Sequence, residues 1–234
     1  MEWSVREGDE AVRWAYNLAA ERVHVGAVAS FLSDRGALSV AVATALNGLE
    51  GAGLQLGAAG SRSKLYAYLG PQAPDAIAVL LAVAGAGPAL AAALRGAVPD
   101  FAALDLEAPV AAKVYVEMRS LPATTAAAAA AGAPRLAALG ATLDEGLGTH
   151  PARWVLSLRA RAGLVVDRTL HVKVDAAPER LADLAGAELS ARAATLYRRA
   201  ARLRLRLLPT YVSFLDSPER PLLRTVYYRL VEPR

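Results

Sequence analysis

Polar and apolar positions alternate with a period of two in ten short segments of this chain, and the segments come in pairs. Residues 2–7 and 12–18 read as a first hairpin around Gly8-Asp9, and residues 53–57 and 64–69 as a second with Gly60-Ser61 at its turn. Residues 103–107 and 113–119 form a third near Pro109, and residues 154–161 and 169–174 a fourth around Gly163. Residues 211–215 and 223–230 form a fifth, with Asp216-Ser217-Pro218-Glu219 as turn chemistry. Alanine-rich stretches near 27–49, 75–97, 124–143 and 178–203 separate the pairs and favour helix packed on a sheet. The run Ala126 to Ala131 is read as helix because Leu136 and Leu139 continue its apolar stripe.

The two faces of these strands differ in kind. Lys64-Leu65-Tyr66-Ala67-Tyr68, Lys113-Val114-Tyr115-Val116-Glu117, His171-Val172-Lys173-Val174 and Thr225-Val226-Tyr227-Tyr228-Arg229 each set cations and phenols against aliphatics. Helices claim the aliphatic face, which turns the basic and aromatic face inward. Enclosed cations need an anion, and a phosphate-bearing ligand supplies one. Antiparallel hairpins side by side either expose edges or close on themselves. The expected fold is therefore α+β: one domain over residues 1–234, a closed antiparallel barrel of about ten strands built from repeated helix–strand–strand units and ringed by helices.

Composition sharpens this picture. The only three lysines, Lys64, Lys113 and Lys173, all lie in the two-faced strands, where scattered solubility lysines would not fall. A net charge of +4 is too small to imply a nucleic-acid surface. The cluster Arg198, Arg199, Arg202, Arg204 and Arg206 reads as a solvated helix end, or else as a dock for an acidic peptide or nucleic acid. The absence of cysteine removes disulfides and thiolate metal sites, and the start shows no secretory pattern, so a cytoplasmic setting is expected. The uncharged stretch 76–94 is broken by Gly85-Ala86-Gly87-Pro88 and reads as a buried helix pair, with no membrane contact.

The order of these segments resembles the ABBA aromatic prenyltransferases. Closest in pattern are the peptide-modifying enzymes of cyanobactin pathways. The likeness rests on Glu2-Trp3-Ser4-Val5-Arg6-Glu7, Gly53-Leu54-Gln55-Leu56 before Lys64-Leu65-Tyr66, Lys113-Val114-Tyr115-Val116-Glu117, and the closing Leu223-Arg224-Thr225-Val226-Tyr227-Tyr228-Arg229-Leu230. The resemblance implies transfer of an isoprenoid from prenyl diphosphate to a peptide or small aromatic acceptor by a monomer. It implies Glu2 as general base, Arg13, Lys64 and Lys113 as diphosphate ligands, and Tyr66, Tyr115 and Tyr227 as a shield around the allyl cation. Such enzymes carry further sequence, including a helix, before the strand that matches Glu2.

The residues ask for the same chemistry. Leaving diphosphate needs preplaced cations, a carbocation needs a dry pocket of π faces, and the acceptor needs a carboxylate to take its proton. Lys173 is expected as a fourth diphosphate ligand, and His171, on its face, as a ligand contact. Asp105 and Glu107 share a face and could hold Mg²⁺ with the diphosphate or, with Glu117, attract a cationic acceptor. His24, His150 and His171 have no metal-like spacing and there is no cysteine, so no zinc site is expected. The competing readings are a non-catalytic barrel binding a phosphorylated or lipidic ligand, and a nucleic-acid binder using the arginine cluster.

Overall fold

The computed structural model describes residues 2–6, 9–18, 53–59, 62–68, 81–82, 85–95, 97–105, 111–118, 126–129, 131–147, 152–174, 178–218 and 220–232. The first predicted helix, near 27–49, and the residues Glu107, His24 and His150 lie outside them. The described residues form ten strands: β1 (Glu2–Arg6), β2 (Asp9–Leu18), β3 (Gly53–Ala59), β4 (Arg62–Tyr68), β5 (Phe101–Asp105), β6 (Ala112–Met118), β7 (Ala152–Arg161), β8 (Leu164–Val174), β9 (Arg206–Asp216) and β10 (Leu223–Val231). Helices among them include α1 (Gly87–Leu94), α2 (Pro134–Leu147) and α3 (Pro178–Arg202). The fold is α+β with antiparallel sheet, in two compact units.

The first unit comprises Met1–Ala15, Glu117–Leu156 and Arg168–Arg234. Within it β2, β1, β10, β9 and β8 are antiparallel neighbours in that order. On the apolar face Val212 and Phe214 of β9 and Val226 and Tyr228 of β10 are buried. Helix α3 packs on β9, β10 and β1 through Leu189, Ala193, Leu196 and Ala200, all buried and spaced at three to four residues. Each fully buried leucine of that stripe contributes roughly 1.5–3 kcal/mol. Tyr197 of α3 meets Tyr228 edge-on, with ring centroids 5.7 Å apart. From α2, Arg135 clamps the β9–β10 turn, donating from Nε to Asp216 Oδ1 at 2.7 Å and from Nη1 to the Arg220 carbonyl at 2.9 Å.

The second unit comprises Tyr16–Val116 and Ser157–Asp167. Here β3, β4, β5 and β6 form an antiparallel meander whose register pairs Lys64 with Asp105, Tyr66 with Ala103, and Ala103 with Lys113. Ala102, Leu104, Ala112, Val114 and Val116 are buried, while Lys64, Asp105 and Lys113 are half-buried, which is the two-faced pattern read from the alternation. The β7–β8 turn needs only Ala162 and Gly163, both at positive φ (49° and 77°), as a two-residue turn between twisted strands requires.

Several boundaries depart from the sequence expectation. Strand β8 starts at Leu164 rather than at residue 169, because the tight turn lets pairing begin at once. Strand β9 starts at Arg206 rather than at residue 211 and runs through Pro209, where the register with β10 shifts between Tyr227 and Tyr228. A bulge tolerates the missing proline N–H. The helix expected over 124–143 is two pieces, because Gly132 takes a left-handed φ of 74° and Pro134 opens α2. The helix expected over 178–203 ends at Arg202 and is broken at Gly186, whose φ of 78° and ψ of 171° are not helical.

Candidate active site

Strands β4, β5 and β6 bring together five of the sequence-predicted residues. Cross-strand partners on one face of an antiparallel sheet lie about 4.5–5.5 Å apart at Cβ, so the register sets Lys64, Tyr66, Asp105, Lys113 and Tyr115 side by side. Tyr115, only 6% exposed, stacks on Phe101 with centroids 4.0 Å apart and planes 12° from parallel. Its other neighbour is Tyr66, tilted by 47° at 6.3 Å. Lys113 Nζ lies 5.1 Å from the Tyr115 centroid. The result is an aromatic wall with an ammonium against its centre.

Beside this wall the same unit carries a charge network. Lys64 Nζ contacts Asp105 Oδ1 at 2.8 Å, Arg159 Nη2 donates to Asp105 Oδ2, and Arg159 Nη1 donates to Asp167 Oδ2 at 3.0 Å. Burial opposes ionisation of Asp105, but Lys64 and then Arg159 outweigh it and hold the carboxyl below its ordinary range. Arg159 is likewise held above its ordinary value by Asp105 and Asp167 against the cost of burial. Its Nε–H is buried and finds no acceptor.

In the first unit, β8, β9 and β10 gather a second basic and aromatic group. His171 pairs in register with Ser213, Lys173 with Tyr211, and Tyr211 with Tyr227. The Tyr227 ring stands edge-on to Tyr211 at 6.3 Å and tilted to His171 at 6.2 Å, and Lys173 Nζ lies 5.8 Å from the Tyr211 centroid. Register sets Glu2 of β1 opposite Arg229 and Ala15, and Ser4 opposite both Tyr227 and Arg13. Backbone register alone therefore puts positions 2 and 13 in line with Tyr227. Arg6 donates from Nε to Thr225 Oγ1 at 3.0 Å. Glu117 pairs with Arg153, which donates from Nε to Oε1 at 2.9 Å and from Nη2 to Oε2; both are exposed, and such pairs contribute about 0–1 kcal/mol.

Three contributors have no clear signal in the sequence. Phe101 precedes the expected start of its strand at residue 103. Tyr211 opens an expected strand, with nothing local to single it out. Arg159 shares the polar face of its strand with Arg153 and Arg161, and no local feature separates the three. Among the described residues no group of three His, Asp or Glu could hold a metal ion. Asp105 and Asp167, both on Arg159 and the first also on Lys64, are already engaged, so this donor set does not fit a resident Mg²⁺.

No known sequence family matches the chain, and no curated protein does. Solved structures do. A 5-dimethylallyltryptophan synthase from Streptomyces coelicolor matches 97% of this chain and 79% of its own at 18% identity, with a TM-score of 0.69. The prenyltransferase PriB matches 100% of this chain and 82% of its own at 21% identity and a TM-score of 0.66. A 6-dimethylallyltryptophan synthase from Micromonospora olivasterospora matches 99% of this chain and 83% of its own at 19% identity and a TM-score of 0.65. The chain has the fold of these aromatic prenyltransferases.

Proposed function

We propose that this protein is a prenyltransferase that moves an isoprenoid from an allylic prenyl diphosphate to a nucleophilic aromatic side chain. The observation that carries the reading is Lys113 held 5.1 Å from the face of the buried, stacked Tyr115. Ionisation breaks the allylic C–O bond, so negative charge grows on diphosphate next to a carbocation. An ammonium beside a π face matches that pair of charges, and preplaced cations in a poorly hydrated site are worth far more than in water. The acceptor then forms its bond to the allyl carbon and loses a proton, for which Glu2 is the base.

The full assignment includes residues of both groups. It takes residues 1–234 as a single closed ten-stranded barrel with helices outside, supported by a strand-neighbour order that runs β1-β10-β9-β8-β7-β6-β5-β4-β3-β2 and by matches covering 97% or more of the chain. Arg13, Lys64, Lys113 and Lys173 bind diphosphate, and Tyr66, Tyr115 and Tyr227 shield the cation. Asp105, Glu117 and His171 are the candidates for contact with the acceptor. Mg²⁺ accompanies the diphosphate as its counter-ion, outside any protein cage. The acceptor is a small aromatic such as tryptophan, or a peptide that bears one. Neighbours solved with tryptophan and a thiolodiphosphate analogue favour the small aromatic. The setting is a cytoplasmic monomer; no described helix is long and apolar enough to cross a membrane.

The test is incubation with dimethylallyl, geranyl or farnesyl diphosphate plus L-tryptophan or tryptophan- and tyrosine-containing peptides. Mass spectrometry should find an acceptor heavier by one isoprenoid. Tight diphosphate binding with neither transfer nor hydrolysis across the panel would leave the non-catalytic barrel as the reading.

A further inference from the structure

The Arg153–Glu117 and Arg159–Asp105 pairs differ in one respect. Arg153 engages Glu117 through the side-on fork, with Nε on one carboxylate oxygen and Nη2 on the other. Arg159 presents the same fork to Asp105 but fills only half of it: Nη2 donates to Oδ2, and the buried Nε beside it has no acceptor. The oxygen that would complete the fork, Asp105 Oδ1, is instead on Lys64 Nζ at 2.8 Å. An unfilled charge-assisted donor in a half-buried site is costly, and a rearrangement of Asp105 would fill it. In it Asp105 turns, gives up Lys64 and takes both donors of Arg159.

We propose that Asp105 stands in for the diphosphate on Lys64 in the empty protein, and that Arg159 is the positioning residue that captures Asp105 when prenyl diphosphate displaces it. This rests on the reading of Lys64 as a diphosphate ligand. Before substrate arrives, Asp105 keeps the half-buried ammonium paired and aimed. On arrival the diphosphate must compete for Lys64 against the Asp105 carboxylate. A released Asp105 would repel the diphosphate unless its charge were engaged elsewhere, and the completed fork engages it. Asp167, on Arg159 Nη1 at 3.0 Å, keeps the guanidinium turned so that the fork stays open toward Asp105.

The experiment is calorimetric titration with inorganic pyrophosphate and with dimethylallyl thiolodiphosphate, which does not ionise readily. Asp105→Asn removes the competitor and should tighten both by about tenfold, the scale of one hydrogen-bonded charge contact. Arg159→Lys keeps the charge and loses the fork, and should weaken both by a similar factor. In the double variant the Arg159→Lys loss should vanish, because a neutral amide in place of the carboxylate needs no capture. Weaker binding in Asp105→Asn overturns the inference, and so does an Arg159→Lys loss that persists in the double variant. Asp105→Ser repeats the test if the asparagine variant does not fold, as judged by circular dichroism. Lys64→Gln separates the levels. If it leaves pyrophosphate affinity unchanged, the diphosphate role of Lys64 fails; if it weakens binding while Asp105→Asn does not tighten it, only the exchange at Asp105 fails.

Discussion

Tyr115 is the residue through which the proposed chemistry can be tested most directly. Its ring is buried, stacked on Phe101 at 4.0 Å and approached by Lys113 Nζ at 5.1 Å. Tyr115→Leu keeps most of the volume and removes the π face. A ring stabilises a neighbouring cation by about 0.5–2 kcal/mol, which converts to roughly a 2- to 30-fold loss in the rate of transfer. The stack with Phe101 also goes, and an aromatic pair contributes about 0.5–1.5 kcal/mol beyond its buried area. In a chain of this size that lowers the melting temperature by about 1–6 °C. The measured quantity is a ratio: prenylated acceptor against free prenyl alcohol from one diphosphate, by liquid chromatography and mass spectrometry. The leucine variant should shift that ratio toward the alcohol, because water gains access to a poorly shielded cation. Tyr115→Phe keeps the face and should hold the wild-type ratio. Transfer and hydrolysis falling together at constant ratio would refute a shielding role and leave Tyr115 as wall; a phenylalanine variant as impaired as leucine would assign the effect to the phenol.

Other expectations follow from single groups. Lys113→Ala removes a charge-assisted contact and should weaken prenyl-diphosphate binding by on the order of tenfold or more in calorimetry; unchanged affinity would take Lys113 out of the site. Glu2→Gln preserves shape and removes the base, so turnover should collapse while diphosphate affinity persists. Normal turnover would pass the role to Asp105 or Glu117 or show that no base is needed. Gly186→Ala puts a Cβ 2.7 Å from Arg224 Nη1 on a backbone at φ 78° and ψ 171°. The arginine can swing aside, but the glycine-only backbone region costs about 1–3 kcal/mol, so thermal melting should drop by several degrees; an unchanged midpoint would mean that the break in α3 shifts at no cost.

The parts of this protein legible in its sequence are those set by side-chain alternation, which is local. Lys64-Leu65-Tyr66 and Lys113-Val114-Tyr115 announce a basic, aromatic face because every second residue repeats it, and the structure puts those residues on one face in adjacent register. Turn chemistry is equally plain at Gly163, while Gly132 and Pro134 carry a stop and a start that the alanine run around them conceals. What local pattern does not give is which charges meet. Arg153, Arg159 and Arg161 alternate identically along β7, yet Arg153 meets exposed Glu117 whereas Arg159 meets half-buried Asp105 and Asp167. That difference is decided by the register of strands far away in sequence. Asp105 shows the consequence. Taken alone, two residues from Glu107, it suggests a ligand for Mg²⁺ or for a cationic acceptor. Placed opposite Lys64 and within reach of Arg159, its carboxylate is neutralised by the chain's own cations. The anion that half-buried Lys64 demands is thus supplied internally, and an unfilled donor on Arg159 is what the proposed exchange with a diphosphate would require.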